Sequence, residues 1–99
     1  MSVRVIALRT LREFWEKHAD AEGPLRAWHE EARTASWATP ADITARFSTA
    51  SVFENGRACF NFGGGKYRLV VHVRYDKALV FVRFVGTHKE YDGIDANRI

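Results

Sequence analysis

The sequence predicts an α+β fold: N-terminal helices packed on one face of a small antiparallel sheet. Two observations carry that expectation. Apolar residues recur every three or four positions through the first half, and from residue 52 the period falls to two. At 99 residues and 46% hydrophobic, the chain can bury one core but not two, so a single domain over 1–99 is expected.

In chain order, "VRVI" at residues 3–6 reads as a short edge strand. Leu8, Leu11, Phe14 and Trp15 then form one helical stripe. "HADAEGP" interrupts it, with Gly23 and Pro24 as the breakers, and it reads as an interhelix turn. Leu25, Trp28, His29 and Ala32 resume helical spacing, and Trp37 closes the cluster. "TPAD" at 39–42 places Thr39 as a cap and Pro40 at the first helical position of a helix reaching about Phe47. "RACFNF" (57–62), "YRLVVHVRY" (67–75) and "LVFVRFV" (79–85) are strands rich in valine and aromatics. "GGGK" and "DKA" join them as hairpins.

Alternation assigns the faces. Tyr67, Leu69, Val71, Val73 and Tyr75 share one side with Ala58, Phe60, Phe62, Val80, Val82 and Phe84, and this side should lie beneath the helices. The opposite, uncovered face collects Arg57, Arg68, His72, Arg74 and Arg83 with little acid nearby. Like charges on adjacent strands repel, so such a face is better explained by a bound anion than by stability. The formal charge of +3 leans the same way, and eleven of the fifteen cations are arginines, suited to bidentate phosphate contacts.

Several functions are disfavoured. One cysteine, Cys59, permits no internal disulfide or thiolate cluster and reads as a packing residue. The histidines at 18, 29, 72 and 88 are scattered without metal-ligand spacing, so neither metal nor cofactor is expected. "FGGGKYR" lacks a Walker pattern and a following helix, which leaves a flexible hairpin. No stretch approaches the roughly 18 apolar residues of a membrane span, and a cytoplasmic protein is expected.

What remains is Lys66, Arg68, His88, Lys89 and Tyr91, where the polar strand face runs toward "GTHKEYD". Metal-free RNA cleavage needs a base for the 2′-hydroxyl, cations for the phosphorane and an acid for the leaving 5′-oxygen. Arginine and lysine meet the second need, and His88 or Tyr91 the others. Arg57, His72, Arg74 and Arg83 would hold RNA, with Phe81 and Tyr91 as stacking platforms for unpaired bases. Taken singly, an exposed strand arginine, a packing tyrosine or a capping histidine accounts for each residue; their convergence carries the reading.

The blocks "LREFWEKHADAEGPLRAWHEEA", "SWATPADI", "FNFGGGKYRL" and "VRFVGTHKEYDGID" closely resemble the HigB-type toxins of bacterial type II toxin–antitoxin modules, within the RelE/ParE superfamily. The resemblance implies a compact microbial-RNase-like fold and mRNA interferase activity on the translating ribosome. It also implies inhibition by a helix-turn-helix antitoxin, in a hetero-oligomer, for which an acidic segment over the basic face is expected. Lys66 and Arg68 fall at the family's basic strand positions, and His88 and Tyr91 in its C-terminal motif. One departure is Gly65, where the family pattern has asparagine. Superfamily members that poison gyrase keep open the alternative of a non-catalytic module acting on a protein.

Overall fold

The computed structural model describes residues 4–6, 8–96 and 98–99; Val3 of the expected edge strand lies outside them. The elements are β1 (Arg4–Ile6), α1 (Leu8–Lys17), a 3-10 turn (Ala19–Ala21), α2 (Glu22–Thr34) and α3 (Pro40–Arg46). There follow β2 (Ser51–Val52), β3 (Arg57–Phe62), β4 (Tyr67–Arg74), β5 (Leu79–Thr87) and α4 (His88–Tyr91). The helical break falls at His18–Ala21 rather than at Gly23 and Pro24, which both lie in the first turn of α2. Proline is tolerated there because first-turn N–H groups have no intrahelical acceptor.

One five-stranded sheet has the order β1-β5-β4-β3-β2. Its β2–β3, β3–β4 and β4–β5 pairs are antiparallel, but β1 runs parallel to β5, so the sheet is mixed rather than purely antiparallel. A parallel neighbour needs a long crossover, which the intervening helices supply. Three residues of edge strand carry no signal of their own direction.

The helices cover the face that alternation in β4 assigns to them. Leu11, Leu25, Trp28, Trp37 and Ile43 are buried against Ala58, Phe60, Tyr67, Leu69, Val71, Val73, Val80 and Val82, with Phe14 and Trp15 packed at the margin. Phe60 is the aromatic centre: its ring lies 5.1 Å from Phe47, 5.4 Å from Trp28 and 6.1 Å from Trp37.

The expected position of Phe84 beneath the helices is wrong. Val71 pairs with Val82 but Val70 pairs with Phe84, so Arg83 is an extra residue and β5 carries a bulge. Beyond it the two faces exchange. Val85, opposite Leu69, joins the helix-side core, while Phe84 packs with Cys59, Val70, Tyr91, Ile94, Ala96 and Ile99 on the other side. That second cluster also corrects the expectation of an uncovered face. Residues following α4 lie across its middle.

The start of α3 is a capping box, as the TPAD pattern requires: the Asp42 carboxylate accepts from the backbone N–H of Ala38 at 2.8 Å and of Thr39 at 3.0 Å. The Ala38 bond, then the Thr39 bond, hold its pKa below the usual carboxylate value. A depressed folded-state pKa gives stability that is complete above the unfolded value near 4 and lost as pH falls through the folded value. Asp42→Asn, which imitates the protonated acid, is therefore expected to lower the melting temperature at about pH 7 and to match the parent near pH 2. Paired thermal melts check this, and an equal gap at both pH values would refute it.

Candidate functional site

The candidate side chains gather where β4 begins and β5 ends. The β3–β4 turn uses Gly63, Gly64 and Gly65 at φ of 63°, 67° and 91°, a left-handed run that glycine adopts without strain. A Cβ at Gly63 would stand 2.8 Å from the Tyr67 ring, so the turn also lets the chain pass close over that ring. Across the ladder, Arg68 is opposite Asn61 on β3 and Gly86 on β5. The strand β5 continues through Gly86 and Thr87 before one helical turn, α4, begins. Thr87 caps that turn, accepting from the Glu90 N–H at 3.1 Å, while the Glu90 carboxylate accepts from the Thr87 N–H at 2.8 Å. The His88 N–H donates to the Lys66 carbonyl at 2.8 Å and ties α4 to the glycine turn.

Beyond the Arg83 bulge, Phe84 and Gly86 share the side of Arg68, and Tyr91 of α4 packs there against Phe84. The Arg68 guanidinium stands 5.9 Å from the Tyr91 ring centroid, and its Nη1 donates to the carbonyls of Gly65 (2.8 Å) and Tyr67 (3.1 Å). Its Nε and Nη2 have no protein acceptor among the described residues. Tyr91 is half-buried, tilted against Phe84, and packs in the cluster that holds the Cys59 thiol. Burial, then the Cys59 contact, raises its pKa against the smaller opposing pull of Arg68. Burial likewise raises the Cys59 thiol, which stays protonated. His88 and Lys89 are exposed, and His88 Nδ1 lies 3.7 Å from Asp92 Oδ2, an ion-pair distance rather than a hydrogen bond.

Lys66 departs from expectation. It does not share the face of Arg68; its ammonium pairs with Asp20, in the 3-10 turn between α1 and α2. Asp20 also accepts from the Tyr67 hydroxyl at 2.6 Å. The pair with Lys66, then the Tyr67 bond, lower the Asp20 pKa, and the same partner raises that of Lys66. Asp20 is the contact at this end of the sheet that sequence reasoning passed over. "HADAE" is indeed a turn, and nothing local in it tells of a lysine 46 residues away.

The other cations form a separate group. His72 is opposite Arg57 and Phe81, four ladder rungs from Arg68 and so about 13 Å along the strand. Burial, then the charges of Arg57, Arg83 and Arg74, lowers the His72 pKa, so it is an imidazole held toward neutrality and not the cation expected. Arg57 is partly spoken for, donating to the carbonyls of Ile99 (3.0 Å) and Asn55 (3.1 Å). Phe81 belongs to this far group, with its ring 6.4 Å from His72, and cannot share a base with Tyr91. Between the groups Val70 is fully buried under the C-terminal residues. Among the described residues no cluster of three or more His, Cys, Asp or Glu is placed to hold a metal ion, and no helix is long and apolar enough to cross a membrane.

Residues 21–94, which include both groups of cations, match the family described as HigB_toxin, the RelE-like toxic component of a toxin–antitoxin system. The chain belongs to the HigB toxin family. As such it is the toxin of a toxin–antitoxin pair and has an antitoxin for a partner. The α+β fold with its five-stranded mixed sheet agrees with a small RelE-like toxin. No curated protein matches the chain as a sequence relative. The matched span takes in Lys66, Arg68, His88, Lys89 and Tyr91 as positions, whereas Asp20 lies one residue before it.

Proposed function

We propose that this HigB-family toxin is an endoribonuclease that cuts mRNA in the translating ribosome without a metal, and that the Arg68 end of the sheet is its active site. The observation that carries the reading is the guanidinium of Arg68, with donors to spare, over a half-buried tyrosine and beside a helical turn that begins with histidine. In the proposed reaction the 2′-oxygen attacks phosphorus while His88 takes its proton. Arg68 holds the negative charge of the phosphorane, and the bond to the 5′-oxygen breaks as that oxygen receives a proton from Tyr91. The products are a 2′,3′-cyclic phosphate and a free 5′-hydroxyl. Tyr91 holds its proton at neutral pH and so has one to donate; burial raises its pKa and makes it a reluctant acid, which the Arg68 charge partly offsets. Lys89, exposed beside His88, and the far arginines Arg57, Arg74 and Arg83 offer charge to RNA away from the scissile bond, with the neutral His72 among them as a hydrogen-bonding group.

The partner is proposed to be a helix-turn-helix antitoxin whose acidic segment covers the Arg68 end, with the toxin working in the cytoplasm once released. Induced expression of the toxin alone tests the class of activity. Cut messages and a rapid loss of translation are expected, whereas DNA damage with intact messages would point instead to a gyrase-type protein target. Within the site, Tyr91→Phe keeps the ring beneath Arg68 and removes only the hydroxyl. It is expected to slow cleavage on programmed ribosomes about tenfold, less than the full worth of a general acid, since water can replace the phenol. A parental rate would remove Tyr91 from the reaction.

A further inference from the structure

Lys66 and Arg68 are two residues apart, yet they leave the strand end on opposite sides. Arg68 lies over Tyr91, whereas the Lys66 ammonium lies 5.5 Å from the ring of Tyr67, whose side chain faces the helices. The three glycines before Lys66 offer no side chain to hold it. Asp20 does, and the carboxylate is itself anchored by the hydroxyl of Tyr67, a residue only 6% exposed. An ammonium has three donors, and Asp20 occupies one. The Lys66 side chain remains 62% exposed, so an incoming anion can bind it without breaking the pair.

We propose that Asp20 is a positioning residue that aims Lys66 at the phosphate next to the scissile one, so that Lys66 holds RNA and takes no part in breaking the bond. The proposal rests on the endoribonuclease reading and gives its substrate a second phosphate subsite. An RNA strand crossing the end of the sheet meets Arg68 on one face and Lys66 on the other. Loss of Asp20 frees Lys66 to swing on a glycine turn, which weakens the contact although it removes a competing negative charge.

The test uses Lys66→Ala, Asp20→Asn, the double variant and Asp20→Glu. KM and kcat are measured for message cleavage on programmed ribosomes. In parallel, affinity is measured for a short single-stranded RNA made uncleavable by 2′-O-methyl groups. Lys66→Ala and Asp20→Asn are each expected to raise KM and weaken RNA binding roughly fivefold, as for one exposed charge contact, with kcat unchanged. The double variant should be no worse than either single one, and Asp20→Glu should restore the parental KM. Lys66→Ala should also flatten the salt dependence of binding by about 0.7 in log–log slope. A fall in kcat at constant KM for Lys66→Ala, additive effects in the double variant, or parental binding by Asp20→Asn would each overturn the proposal. If the parent binds the RNA but cuts nothing, the nuclease reading fails and the affinity series alone decides the subsite. No binding by the parent overturns both. Lys66 is exposed enough that its alanine variant remains informative should Asp20→Asn fail to fold.

Discussion

Arg68→Ala is expected to cut messages about a hundredfold more slowly than the parent while staying folded and bound to antitoxin, a loss of roughly 3 kcal/mol of transition-state stabilisation. The size follows from where charge develops. The phosphorane gains negative charge on oxygens that a guanidinium can meet in a bidentate fork, and Arg68 has Nε and Nη2 without protein acceptors, among the described residues, to offer. The fold should survive because Arg68 lies off the helix-side core, and of the two carbonyls it serves that of Gly65 is exposed at the turn. His88→Gln belongs to the same test, since glutamine keeps hydrogen-bonding size but exchanges no proton near neutral pH, and it should cost at least as much. Cleavage on programmed ribosomes together with a thermal melt of each variant gives the answer. Parental rates in both folded variants would sink the active-site assignment, whatever the family.

Phe60→Ala is expected to remove a large part of the domain's stability while leaving a folded population that can be titrated. Phe60 is 3% exposed and in ring contact with Trp28, Trp37 and Phe47, which belong to α2, the segment after it and the end of α3. It also lines a cavity of roughly 190 Å³ between α2 and β3, so deletion enlarges a gap beside well-packed aromatics. A buried phenylalanine truncated in this way costs about 3–5 kcal/mol, against a total stability of about 5–15 kcal/mol for an ordinary domain. Urea denaturation should show a much lower midpoint with an unchanged slope. A shift worth less than about 1 kcal/mol would mean that the helices are held to the sheet elsewhere.

What could be read in the sequence was what repeats. Alternation along β4 placed Leu69, Val71 and Val73 under the helices and Arg68 and His72 on the other face, and the structure agrees. Alternation fails where a strand holds an extra residue, and "VFVRFV" gives no sign that Arg83 is one, so Phe84 and Val85 were exchanged. The cover over Cys59 and Val70 was hidden for another reason: Ile94, Ala96 and Ile99 have no period, and only the fold brings them across the sheet. Within the site, Arg68 stands 5.9 Å from the Tyr91 ring, and His88 opens the same helical turn as Tyr91, level with Lys66 across the ladder. Lys66 sits in a turn, where alternation does not apply, and its partner Asp20 is joined to it by tertiary contact alone.

The Arg83 bulge makes position 83 count in two separate currencies. As a side chain it is exposed and open to replacement; as a place in the chain it is not. Remove it, and the strand from Phe84 onward turns over: Phe84 swings under the helices, Val85 to the other face, and Tyr91 loses its place beside Arg68. Exchange of the side chain thus leaves the fold intact and removes at most one RNA contact, whereas deletion of the same letter disarms the toxin. In a family of such chains, gaps here should be rarer than substitutions.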